Sequence, residues 1–147
     1  MKFEPKDENF VEKVRESFAA QTVMKFIGAE ITRVEAGKVE IELPFRQDLT
    51  QQNGFLHAGI ITTIADSAGG YAAFSLMPKD ADVLSVEFKV NLLSPAIGEK
   101  FVAKSHVLRA GKTLIIVQSD VFAVKEGREK HISTMLGTMM CLAKKIS

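Results

Sequence analysis

The sequence predicts an α+β domain in which a curved antiparallel β-sheet wraps around one long central helix. Three observations carry this. The apolar segment Ile60 to Met77 holds a single charged residue, Asp66, and is rich in small residues: Ala65, Ala68, Gly69, Gly70, Ala72 and Ala73. From Leu84 onward the hydrophobic period switches from helical to two. No repeat, low-complexity tract or linker interrupts the chain, so residues 1–147 read as a single domain. A helix apolar on most sides needs cover on most sides, and a strongly curved sheet with one apolar face supplies it.

The elements follow in order. Phe10, Val11, Val14 and Phe18 recur at helical spacing behind Asp7, the expected N-cap of a short packing helix. Gly28 and Gly37 bracket a hairpin in which Val39, Ile41 and Leu43 alternate with Glu40 and Glu42; Glu35-Ala36-Gly37-Lys38 supplies the turn and Pro44 ends the second strand. Arg46 to Gly54 is polar without a period and reads as a loop that delivers the chain to the central helix. Within that helix each glycine of Gly69-Gly70 costs about 1 kcal/mol, which points to tight packing or to room left for a ligand. Past Pro78-Lys79-Asp80 a half-buried strand is expected, with Leu84, Val86, Phe88, Val90 and Leu92 on one side and Ser85, Glu87, Lys89 and Asn91 on the other. Ser94 to Gly98 turns the chain into a strand from Lys100 to Leu108; Ala110-Gly111 turns it into Thr113 to Val124, and Lys125-Glu126-Gly127-Arg128 into a last strand from about His131 to Ala143. Lys144-Lys145 reads as a solubilising tail.

Composition excludes several classes of function. A net charge of +1 creates no global field that gathers nucleic acid or anionic membrane, so neither is expected as a partner. One cysteine forms no internal disulfide, and the acidic start Met1-Lys2-Phe3-Glu4-Pro5-Lys6-Asp7-Glu8 is unlike a signal peptide; a cytoplasmic protein is expected. A membrane span from Leu56 to Met77 would place Asp66 mid-bilayer at a cost of roughly 2.5–3.5 kcal/mol. His57, His106 and His131 have no ligand spacing and Cys141 stands alone, so no metal is expected.

The chemistry concentrates where the loop Gln51-Gln52-Asn53-Gly54-Phe55-Leu56-His57-Ala58-Gly59 meets the helix. Asp66, a carboxylate on an apolar helix, must be paired, hydrogen-bonded or protonated, and desolvation is how a carboxylate becomes a base near neutral pH. Thr62, Thr63, Gly69 and Gly70, three and four residues away, are expected to surround it with hydroxyls and open space. At the helix start the N–H groups of Ala58, Gly59 and Ile60 lack internal partners, and His57 beside them reads either as a helix cap or as a functional group. Such a terminus suits an oxyanion. Nine residues at ~100° and ~1.5 Å each put His57 and Asp66 half a turn apart in angle and roughly 13–14 Å apart along the axis, so a shared site needs two chains about a two-fold axis. Arg109-Ala110-Gly111-Lys112-Thr113 places two cations around a turn, an anchor for phosphate to which Lys104 is a candidate addition.

These segments together resemble the hotdog-fold acyl-CoA thioesterases of the phenylacetate-degradation (PaaI-like) group. The resemblance rests on Asn53 to Gly59 with Ile64-Ala65-Asp66-Ser67-Ala68, on Leu84 to Phe88, on Leu93-Ser94-Pro95-Ala96 with Gly98-Glu99, and on Arg109 to Thr113. It implies hydrolysis of an aromatic or medium- to long-chain acyl-CoA, with coenzyme A as part of the substrate and no separate cofactor, at a site between two subunits of a homodimer that pairs into a homotetramer. It assigns Asp66 as general base or nucleophile, the backbone N–H of Ala58 or Gly59 as oxyanion donor, His57 as the residue holding loop and substrate, and Ser85 as the partner of the carboxylate. Gln51 stands where relatives carry an asparagine, with Asn53 and Gly54 beside it, and Arg109, Ala110, Gly111, Lys112 and Thr113 fall where relatives bind the CoA phosphates. Ala58 replaces a glycine common in the family, which preserves the N–H and narrows the approach. The alternative from another class is a non-catalytic acyl-CoA sensor of the same fold; a hydratase is disfavoured because the Asp-x-x-x-x-His pairing of one hydratase group is absent.

Overall fold

Residues 2–143 are described by the computed structural model of the chain; Lys144-Lys145 lie outside them. The order is α1 (Phe10–Ala20), α2 (Thr22–Ile27), β1 (Glu30–Glu35), β2 (Lys38–Pro44), α3 (Ala58–Phe74), β3 (Asp82–Leu92), β4 (Lys100–Ala110), β5 (Leu114–Lys125) and β6 (Arg128–Leu142). Among the described residues the six strands form one antiparallel sheet in the order β1-β2-β4-β5-β6-β3. α3 packs against β2, β3, β4, β5 and β6, so the sheet curves around it as expected for a hotdog fold. No helix among the described residues is long and apolar enough to cross a membrane.

Packing explains the small residues of α3. Ile64, Ala65, Ala68 and Ala72 are fully buried, as are Val39, Ile41 and Leu43 of β2, Phe101 of β4 and Val117 of β5. A Cβ on Gly69 would lie 2.9 Å from Val117 Cγ2 and 3.0 Å from Ser119 Oγ, whereas one on Gly70 would meet nothing within 4 Å. Both expectations for the glycine pair therefore hold, one at each residue. Gly69→Ala is expected to destabilise the fold by about 1–3 kcal/mol, because Val117 is β-branched, stiff and buried. Gly70→Ala is expected to stabilise it by roughly 0.5–1 kcal/mol through backbone entropy. Urea midpoints of the two variants against the parent chain check both signs.

Three local features differ from expectation. α1 begins at Phe10 with Asn9 at its cap position and no side-chain cap bond. Asp7 lies one turn earlier, where its carboxylate accepts the Asn9 N–H at 2.9 Å and sits 3.7 Å from Lys13. The second is an addition to the expected elements: α2, about a turn and a half of helix that ends on Gly28 in the left-handed conformation at φ 82°.

The third difference concerns β3, whose alternation breaks at Val86. Ser85 is level with Met139 and Glu87 with Thr138, so Val86 is an extra residue, a β-bulge. Met139 faces α3, since its Cε lies 3.4 Å from the would-be Cβ of Gly69. Ladder partners share a face, so Ser85 turns toward α3. Beyond the bulge the phase flips: Phe88 opposite Gly137, Val90 opposite Met135 and Leu92 opposite Ser133 take the helix side. Leu84 and Phe88 thus face opposite ways. As an edge strand bonded only to β6, β3 is also less covered than expected, with Leu84, Phe88 and Leu92 about half exposed (47%, 44% and 56%).

Candidate active site

The loop before α3 is tied at both ends. The Gln51 N–H donates to Phe55 O at 2.9 Å and the Gly54 N–H to Gln51 O at 3.0 Å, around a left-handed Gly54 (φ 82°). The Gln51 side-chain oxygen accepts the Asn53 N–H, so part of its amide is used within the loop itself. Leu56 N–H reaches Ala96 O and His57 N–H reaches Leu49 O, which fixes the entry into α3.

His57 is the N-cap of α3. Its Nδ1 accepts the Gly59 N–H at 2.8 Å, an arrangement that leaves Nδ1 without a proton and puts the ring proton on the exposed Nε2. The N–H groups of Ile60 and Ile61 both donate to His57 O, at 3.0 and 3.2 Å. Among the described residues this leaves Ala58 as the first-turn residue whose N–H meets no acceptor. Ala58 borders a cleft of about 360 Å³ shared with Gln51, Phe55, Ile61, Leu93 and Pro95.

Asp66 lies elsewhere on α3. Its carboxylate accepts the Ser85 hydroxyl at 2.7 Å. That hydroxyl also lies 3.3 Å from Met139 Sδ, but it has one proton and the carboxylate is the stronger acceptor. The bulge at Val86 is what brings Ser85 to this face. Thr62 and Thr63 do not serve Asp66, since their hydroxyls bond back at 2.8 Å to Ala58 O and Gly59 O. Two clefts meet at Asp66. The inner one, about 290 Å³, is walled by Ser17, Gly70, Tyr71, Asp82 and Ser85; the outer one, about 510 Å³, by Val23, Gly59, Thr62, Thr63 and Phe88.

Gln21 and Ser67, absent from the sequence-based candidates, stand at the same junction: the Ser67 hydroxyl donates to Gln21 Oε1 at 3.0 Å. No local pattern marks Gln21, because it acts from the break between two helices. Tyr71, the sole tyrosine, is buried, and its hydroxyl lies 3.3 Å from that of Ser17. Burial pushes the Tyr71 phenol above its ordinary pKa, against the opposing bond from Ser17, so it stays a neutral hydroxyl in the inner cleft.

Arg109 and Ala110 end β4 and Gly111 to Thr113 form the β4–β5 turn, where Gly111 is required because a Cβ would sit 2.5 Å from Leu114 O. Ala110, Gly111 and Lys112 border a cleft with Leu76 and Met77, beyond the C-terminal end of α3. His57 is at the other end. Lys104 does not add to this turn; it pairs with Glu129 at 2.8 Å and lies over the Phe122 ring. Within one chain, then, Asp66 meets Ser85 and His57 meets Gly59, while the histidine, the carboxylate and the basic turn stay apart. Among the described residues no three potential ligands cluster for a metal ion.

Comparison with known proteins bears on this arrangement. The model of the thioesterase superfamily matches residues 53–130. A solved thioesterase family protein from Silicibacter pomeroyi is 50% identical, covering 90% of this chain and 98% of its own, with a TM-score of 0.89. Acyl-coenzyme A thioesterase 13 of Homo sapiens is 35% identical over 95 residues, 63% of this chain and 67% of its own. The E. coli PaaI protein from the phenylacetic acid degradation operon matches with a TM-score of 0.84 over 97% of this chain and 99% of its own, at 15% identity, a likeness of fold.

Proposed function

This chain belongs to the thioesterase superfamily and is a thioester hydrolase; on that footing we propose that its substrate is an acyl-CoA and that the thioester is broken beside Asp66. The observation that carries the reading is the 2.7 Å bond from Ser85 to Asp66 at the meeting point of two clefts. It aims one carboxylate oxygen and leaves the other for chemistry. As general base, Asp66 takes a proton from water while the water oxygen attacks the carbonyl carbon; the C–S bond then breaks and the CoA thiolate leaves to be protonated. As nucleophile, the carboxylate attacks the carbonyl carbon, the C–S bond breaks with departure of the CoA thiolate, and water then hydrolyses the mixed anhydride to the free acid and the Asp66 carboxylate.

The developing oxyanion is held by the Ala58 N–H of the partner subunit, with the outward Nε2–H of His57 as a second donor. Gly59 is the weaker candidate, because its N–H is already bonded to His57 Nδ1. Two features support a homodimeric site: the half-turn offset of His57 and Asp66 on one helix, and the half-exposed apolar residues of the edge strand β3, which a second copy would cover. Arg109, Lys112 and Thr113 anchor the phosphates of CoA, which arrives as part of the substrate. Dimers pair into a tetramer in the cytoplasm, where acyl-CoA is available.

Incubation with a panel of aromatic and aliphatic acyl-CoAs, with free thiol as the readout, tests this. Turnover of at least one class is expected. Stoichiometric acyl-CoA binding with no thiol released by any would turn the reading to the sensor of the same fold.

A further inference from the structure

The two clefts at Asp66 have only three residues in common: Gln21, Asp66 and Ser67. These side chains are the wall between them, and the Ser67-to-Gln21 bond at 3.0 Å, which spans α3 to the α1–α2 break, closes it. Behind the wall lies space. Gly70 borders the inner cleft with nothing within 4 Å of where its Cβ would be, and Ala20, Val83 and the neutral Tyr71 line it together with Ser17, Asp82 and Ser85.

We infer that Gln21 is the specificity-determining partition of this site, confining the acyl group to the outer cleft and setting an upper limit on its length. The inference rests on the acyl-CoA reading above. Gln21 is suited to this role because its backbone and side chain do separate jobs. Its N–H bonds Phe18 O and its carbonyl accepts from Met24 N–H, so the junction of the helices survives side-chain truncation. The side chain holds Ser67 alone among the described hydrogen bonds. A wall made of one exchangeable hydrogen bond between neutral groups is cheap to remove, worth about 1 kcal/mol, whereas the room it hides is large on the scale of a few methylenes.

The test uses the full chain and a series of butanoyl-, octanoyl- and palmitoyl-CoA, read as thiol release, together with the matching non-hydrolysable CoA thioethers, read as Kd. Gln21→Ala is expected to raise the palmitoyl-to-butanoyl ratio of kcat/KM, and of affinity, by about 10-fold, the low end of what a single methylene carries in an apolar pocket, because Ser17, Asp82 and Ser85 share the lining with Ala20, Gly70 and Val83. Ser67→Ala breaks the same bond from the other side and is expected to shift the ratio in the same direction. Adding Gly70→Leu to Gln21→Ala fills the inner cleft, and the ratio is expected to return to the parent value or below. If the ratio is unchanged in both Gln21→Ala and Ser67→Ala, or if Gly70→Leu leaves a raised ratio untouched, the partition is overturned. A thioether series that shifts while no thiol is released from any acyl-CoA sustains the partition and counts against the hydrolytic reading alone.

Discussion

Asp66→Asn is expected to lower kcat by at least about 100-fold, and by up to about 10⁴-fold if Asp66 is the base, while the fold is kept. Asparagine retains the carbonyl oxygen that accepts from Ser85, so the 2.7 Å bond and the packing of α3 survive; what is lost is the second oxygen's negative charge. Thiol release at saturating acyl-CoA and a thermal melt measure the two halves of the statement. Residual kcat within about 10-fold of the parent would remove Asp66 from the chemistry.

Ala58→Pro is the second large effect. Proline deletes one atom group of interest, the backbone N–H, and loss of one oxyanion donor typically costs about 10²–10³-fold in kcat. The position tolerates it. Ala58 is the first residue of α3, where proline is favoured because that N–H has no intrahelical partner. The residue before it, His57, already has φ −62° and ψ 137°, the extended conformation that a following proline demands. Melting temperature is therefore expected to hold while kcat falls. If both hold, the oxyanion is stabilised elsewhere. On the proposed two-chain site, Ala58→Pro and Asp66→Asn chains mixed and refolded together are expected to regain activity, because a mixed dimer would contain one site with both groups intact. No recovery from demonstrated heterodimers would place both groups in one chain.

The central helix, β2 and the positions of the other strands were legible because each rests on a helical or alternating run long enough to mark it, although register shifts interrupt β1, β4 and β6 as well. β3 was legible as a strand but not in its phase. Leu84, Val86, Phe88, Val90 and Leu92 form an unbroken alternation, and the bulge that breaks it depends on how β6 pairs, which lies more than forty residues downstream. Asp66 was conspicuous as a charge in an apolar helix, and its tie to Ser85 followed from family resemblance rather than from any spacing. Thr62 and Thr63 illustrate the opposite error: proximity on a helix says that hydroxyls are near a carboxylate, while the carbonyls of the preceding turn offer each hydroxyl a second lone pair within its reach. Gln21 was invisible because a polar residue at a helix break looks like any surface residue until the neighbouring element is in place.

The extra residue at Val86 makes β3 two short modules in series. Residues 82–85 choose which side chain greets the carboxylate, and residues 87–92 cover α3 with apolar groups in the opposite phase. Deleting Val86 would act as a three-dimensional frameshift, carrying Ser85 to the outer surface and leaving Asp66 without its donor although neither residue is altered. Sequence changes within either block can accumulate independently, whereas the single inserted residue cannot drift, and a gap opened there in a comparison of relatives would mark a lineage that orients its carboxylate by other means.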